Sequence, residues 1–225
     1  MITAIFDLDG TLANTIEDLG DAVNYGLEKL GCPVHSYETY KKFVGNGKQK
    51  LCFRALPDDR KDDTEALCSL FDEYYSVHSL DKTRLYEGIA DTLHILSEHG
   101  VVMAVATNKP QDAAREIVDT LLPDIDFVSV LGGCDYRPKK PDTAILVEIF
   151  ARIPDVPNKV WIIGDSNVDI RLANNAGIDS IGCLWGFRSR EELTAEGADH
   201  IAAAPSDIAE IILNGGERLE EENKK

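Results

Sequence analysis

Two carboxylates two residues apart, Asp7 and Asp9, follow the apolar run Ala4-Ile5-Phe6 and stand directly ahead of Gly10. A second pair, Asp165 and Asp169, follows Val160-Trp161-Ile162-Ile163. Thr107 and Asn108 close the run from Val101 to Ala106, and Lys140 stands beyond Phe127-Val128-Ser129-Val130-Leu131. Taken singly, an acid after a strand is ordinarily a turn or helix cap, a threonine a cap and a lysine a solvated charge. Four such sets behind four apolar runs mean more, because the carboxyl ends of strands in an open parallel sheet form one ligand crevice. Asp165 at a strand end and Asp169 four residues later, at a helix opening, can face the same volume. Four carboxylates crowded together repel, and some would protonate unless a cation sat among them. Mg²⁺, a hard ion that takes one or two carboxylates together with water and substrate phosphate, suits that volume best.

The elements that must position these residues are legible from periodicity. From Tyr86 onward, apolar β-type runs alternate with helical spacing, the pattern of βαβ units around a parallel sheet. Residues 2–8 form the same class of strand, yet only helical periodicity follows from Thr15 to about Leu80: Ile16, Leu19, Val23, Leu27 and Leu30 share one face, and Leu67, Leu70, Phe71 and Tyr74 another. The expected fold is therefore α/β, a doubly wound parallel-sheet core made of residues 1–14 and 86–225, with a helical module at 15–85 inserted after the first strand. The tail after Asn214-Gly215-Gly216 reads as a solvated charged extension.

Composition narrows the chemistry. The 225 residues carry 40 acids against 23 Lys and Arg, a formal net charge of −17, which argues against nucleic acid or anionic membrane as a partner. The five cysteines are scattered without a Cys-x-x-Cys pair, so neither a disulfide framework nor a zinc site is expected. No basic leader and no long apolar span are visible, and a soluble, cytoplasmic protein, monomer or homodimer, is the expectation.

Asp7-Leu8-Asp9-Gly10-Thr11, Ala106-Thr107-Asn108, Lys140-Pro141 and Gly164-Asp165-Ser166-Asn167-Val168-Asp169 resemble, in order and spacing, the four motifs of the haloacid-dehalogenase-like (HAD) superfamily. The helical insertion resembles its C1 cap. Within the superfamily, Phe43-Val44-Gly45-Asn46-Gly47, Arg54-Ala55-Leu56 and the stretches Trp185–Leu193 and Gly197–Ile201 resemble bacterial phosphoglycolate phosphatases. The resemblance implies a Mg²⁺-dependent phosphatase with Asp7 as nucleophile forming an aspartyl-phosphate, and Asp9 as general acid and then base. It implies Mg²⁺ held by Asp7, the Asp9 carbonyl and Asp165, with Asp169 acting through water. Thr107 and Asn108 would hydrogen-bond the phosphoryl group, and Lys140 would offset charge. Asn14, where an aspartate is common, and the missing second proline after Lys140-Pro141 depart from the usual pattern without removing a reacting group.

The substrate implied is a small phosphorylated metabolite, phosphoglycolate first. A sugar-phosphate phosphatase, hexose-phosphate mutase or pyrophosphatase would use the same machinery, and a receiver-type signalling domain gathers similar groups but places its acceptor on a middle strand. Gly45, Asn46, Gly47 and Lys48, with Arg54 nearby, read equally as an ordinary turn and as a loop that presents N–H groups and cations to a second anion. Hinges are expected near Ala13-Asn14 and Leu85-Tyr86.

Overall fold

A computed structural model describes residues 1–215; the charged extension beyond them lies outside the described residues. The chain begins with β1 (Ile2–Phe6) and β2 (Ala13–Asn14). Helices α1 (Ile16–Lys29), α2 (Tyr37–Phe43), α3 (Lys48–Ala55) and α4 (Thr64–His78) follow, with a 3-10 turn at Asp58–Asp63, and β3 (Arg84–Leu85) brings the chain back. Alternation then sets in: α5 (Ile89–Glu98), β4 (Val102–Pro110), α6 (Gln111–Leu121), β5 (Phe127–Gly133), α7 (Ala144–Phe150), β6 (Lys159–Gly164), α8 (Asn167–Ala176), β7 (Asp179–Cys183), α9 (Arg190–Ala195), β8 (His200–Ala202) and α10 (Pro205–Leu213).

Six strands form one parallel sheet in the order β5-β4-β1-β6-β7-β8. Both faces are covered, which is why its central strands read as continuous apolar runs. Ala4 and Phe6 of β1 join one cluster with Ile89 and Leu93 of α5 and Ile117 of α6, whereas Ile5 joins a second with Ile145 and Ile149 of α7 and Leu172 of α8. The connections after β1 and β6 leave in opposite directions across the sheet, so the topological switch point lies between these two strands. Phe6 is level with Val105 on one side and Ile163 on the other, which places Asp7 beside the ends of β4 and β6.

Two expectations need correction. The strand holding Thr107 and Asn108 continues through Pro110 instead of ending at Ala106, with a register irregularity against β5 between Ala106 and Pro110 that lets it extend. The sheet also gains β7 and β8, short strands that the apolar pattern did not reveal.

Helices α1 to α4 pack on their own apolar cluster, including Leu19, Val23, Leu27, Leu51, Leu67 and Phe71. Their attachment is narrow: Ala13 pairs with Leu85 and Asn14 with Arg84 in an antiparallel ribbon. Buried Asp18 of α1 reinforces it by accepting from the N–H groups of Lys82 and Thr83 and from the Thr83 hydroxyl at 2.7 Å. Among the described residues, no helix is long and apolar enough to cross a membrane.

Candidate active site

The site is built where β1 and β6 end. The Asp7 N–H donates to the Ile163 carbonyl at 2.8 Å, fixing the backbone before it turns at Gly10 with φ +85°. Asp165 follows Gly164, and Asp169 lies in the first turn of α8, where its Oδ2 accepts from the Ser166 N–H at 3.2 Å and hydroxyl at 2.6 Å. Asp165 is held by the Thr11 hydroxyl at 3.2 Å and the Phe187 N–H at 2.7 Å. A β-carbon at Gly10 or Gly186 would overlap Asp165, and one at Gly164 would overlap Asp169; these glycines leave room for the acids.

Asp7, Asp165 and Asp169 are all buried and each offers a carboxylate oxygen within 4.8 Å of the others. The Lys140 ammonium donates to Asp169 Oδ1 at 2.6 Å and to the Ala106 carbonyl at 2.7 Å, and stands 2.9 Å from Asp7 Oδ1. One ammonium does not balance three carboxylates. Burial, followed by repulsion from Asp169, pushes Asp7 up to about 6 against the attraction of Lys140. Burial and then Asp169 and Asp7 push Asp165 up to about 8. Burial works against the Lys140 charge, but Asp169 and Asp7 outweigh it and hold the ammonium above its usual value. Asp7 Oδ1 is buried and has the Lys140 ammonium as its neighbour. Three buried carboxylates that share one ammonium, two of them hard to ionise, are a donor set that fits a hard divalent cation.

Asp9 has a different environment. Its Oδ1 accepts from the Thr15 hydroxyl at 2.7 Å and from Lys109 Nζ at 3.0 Å, so the two acids of the first motif are paired with different lysines, although the Asp9 charge still repels Asp7. Thr107 is buried and lines the crevice. The Asn108 side chain joins the two halves: its amide donates to the carbonyls of Gly45 at 3.0 Å and Lys140 at 3.1 Å, and its oxygen accepts from the Lys140 N–H at 2.9 Å.

The structure divides the expected loop residues. Gly45 and Gly47, with φ +114° and +83°, line the crevice. Asn46 instead accepts from Arg54 at 2.7 Å, and Arg54 also donates to the Phe43 carbonyl at 2.7 Å; both border a separate hollow with Lys42, Arg188 and Glu192. Lys48 lines the crevice, but its ammonium pairs with Asp72 at 2.5 Å. Residues to which the sequence assigned no site role complete the site. Gly186 gives Asp165 clearance, Arg188 donates to the carbonyls of Val44 at 2.9 Å and Lys41, and Lys109 and Tyr75 line the same crevice as Asp7. Adjacency to Thr107-Asn108 could have flagged Lys109, whereas Tyr75, four residues from Phe71 on an apolar helical face, reads as core.

Comparison with known proteins places this geometry. Residues 4–183 match the sequence model of the haloacid dehalogenase-like hydrolases. A phosphoglycolate phosphatase of Vibrio parahaemolyticus is 34% identical over 214 residues, covering 92% of this chain and 94% of that protein. One of Pseudomonas putida is 36% identical over 199 residues, covering 85% and 72%. A crystal structure from Lactobacillus delbrueckii subsp. bulgaricus superposes with a TM-score of 0.87 at 31% identity, covering 93% of this chain and 97% of that one. The chain belongs to the haloacid dehalogenase-like hydrolase family.

Proposed function

We propose that this hydrolase is a Mg²⁺-dependent phosphatase that cleaves a small phosphate monoester, phosphoglycolate, through an aspartyl-phosphate on Asp7. The observation that carries the reading is the unlike surroundings of two acids two residues apart. Asp7 sits in the three-acid cluster beside Lys140, whereas Asp9 sits outside it, bonded to Thr15 and Lys109. Separate environments suit separate roles. A carboxylate oxygen of Asp7 forms a bond to phosphorus as the phosphorus–ester oxygen bond breaks, and Asp9 gives its proton to the departing alkoxide. Asp9 then takes a proton from water as that oxygen attacks phosphorus, releasing phosphate and restoring Asp7. Lys140 offsets charge on Asp7 and the phosphoryl group, and Thr107 is placed to donate to it. Asp7, Asp165 and the Asp9 carbonyl would hold the cation, with Asp169 behind them, and the bound ion would supply positive charge against the phosphoryl oxygens.

The relatives named as phosphoglycolate phosphatases support a compact leaving group over a hexose. The test is phosphate release from a panel of esters with and without Mg²⁺. Phosphoglycolate should lead the panel, and release should require the cation. Asp7→Asn should reduce turnover to background and abolish any trapped phosphoenzyme; full activity in that variant overturns the mechanism. Asp9→Asn should slow alkyl phosphates by about a hundredfold or more, and aryl phosphates, with their better leaving groups, much less.

A further inference from the structure

The crevice holds buried donors that the chemistry at phosphorus does not use. Tyr75, on α4, is 5% exposed, lines the crevice, and its hydroxyl proton has no acceptor among the described residues, the Lys109 ammonium beside it being itself a donor. Lys109, at the end of β4, is 4% exposed. Its ammonium bonds Asp9 at 3.0 Å and stands over the Tyr75 ring, 4.9 Å from the centroid. An ammonium has three N–H groups; the Asp9 carboxylate takes one, the Tyr75 oxygen lies against another, and the third is left for a ligand. A buried donor left without an acceptor costs more than one that is matched, so the pair is completed by an acceptor brought from outside.

We infer that Lys109 and Tyr75 form the subsite for a carboxylate on the substrate's leaving group, so that the crevice selects phosphate esters of 2-hydroxy acids. The inference rests on the phosphatase reading above and deepens it. Asp9 faces the ester oxygen, and Lys109 is bonded to Asp9, so a group one carbon beyond that oxygen comes within reach of the ammonium. The ammonium answers the negative charge, and the phenol donates to the second carboxylate oxygen. The two donors come from different parts of the chain: Lys109 from the sheet, Tyr75 from the helical insertion. A carboxylate therefore bridges them, whereas an unsubstituted alkyl group leaves both unmatched. Lys48, the cation first expected in this role, is already neutralised by Asp72.

The test compares kcat/KM for phosphoglycolate with kcat/KM for ethyl phosphate, which has the same chain length and no carboxylate, and adds 2-phospholactate as a second carboxylated ester. Tyr75→Phe removes one hydroxyl, and Lys109→Met removes the charge at similar length. Each should lower the phosphoglycolate-to-ethyl phosphate ratio by about tenfold or more, and Lys109→Arg should recover part of the loss. A role confined to packing or to holding Asp9 would slow both esters alike and leave the ratio unmoved, overturning the inference; circular dichroism and melting confirm that each variant is folded. A wild-type enzyme that favours 2-phospholactate and ignores phosphoglycolate would overturn the phosphoglycolate reading and leave the subsite standing. One with no preference for either carboxylated ester would overturn both.

Discussion

At the scale of single residues, the acid cluster makes a statement about pH. An ordinary aspartate titrates at 3.8, while Asp7 is pushed up to about 6 and Asp165 to about 8, burial being the first cause in each. Between those values the folded protein binds protons that the unfolded chain would release. The stability contributed by this pair is complete below about pH 4 and is lost as pH rises through 6 and 8. Without a divalent cation, the melting temperature should therefore fall from about pH 5 to about pH 8.5 more steeply than in Asp165→Asn, whose amide cannot ionise. Added Mg²⁺ should raise it more at the alkaline end, where it neutralises charge that protons no longer cover. A Mg²⁺ shift of equal size at both ends would mean that the ion does not bind among these acids. Asp7, Asp9, Asp165, Asp169, Thr107 and Lys140 were legible in the sequence because charge chemistry demands those residue types behind strands. Tyr75 was not, because a phenol on an apolar helical face is indistinguishable from core until its hydroxyl is seen unmatched.

At the scale of elements, the contact between the helices and the sheet is carried by few groups. Arg188 reaches the carbonyls of Lys41 and Val44, Asn108 reaches that of Gly45, the Ser79 hydroxyl donates to Glu116 of α6 at 3.0 Å, the Thr15 hydroxyl donates to Asp9, Lys109 stands over the Tyr75 ring, and Phe187 and Ala113 pack against the helical cluster. Hydrogen bonds from a charged donor contribute roughly 1.5–3 kcal/mol each. Arg188→Ala should therefore shift residues 40–47 towards an open arrangement by about tenfold or more, read as faster amide hydrogen exchange in that segment and unchanged exchange in β1 and β6. Unchanged exchange throughout would mean that Arg188 does not fasten the helices to the sheet. The stretch Trp185–Arg188 looked like a family signature in the sequence, but its work lies in contacts far along the chain: the Trp185 indole donates to the Thr11 carbonyl at 3.0 Å, and the Phe187 N–H to Asp165. The strands β7 and β8 escaped notice for a related reason. Their short runs, one interrupted by Gly182, carry too few apolar positions for the period of two to stand out.

At the scale of the whole molecule, the ribbon of β2 and β3 brings the two ends of the helical segment side by side. Topologically, residues 15–83 are then an oversized hairpin turn. Closing a longer loop costs only logarithmically more entropy, so the sheet places little demand on what fills the turn. Its two apolar clusters draw no fully buried member from that segment. Replacing 15–83 by a two-residue turn between Asn14 and Arg84 should leave a folded, cooperatively melting α/β unit; a molten product would show that the helices are required for the sheet to form. The helical share of the substrate preference and the hydrolytic machinery of this chain are in that sense separable cassettes, with Lys109 remaining on the sheet. Tyr75 travels with the insert and Asp7, Asp165 and Lys140 stay with the frame, so grafting a different insert onto the same ribbon is a route to a new substrate range without rebuilding the reacting centre.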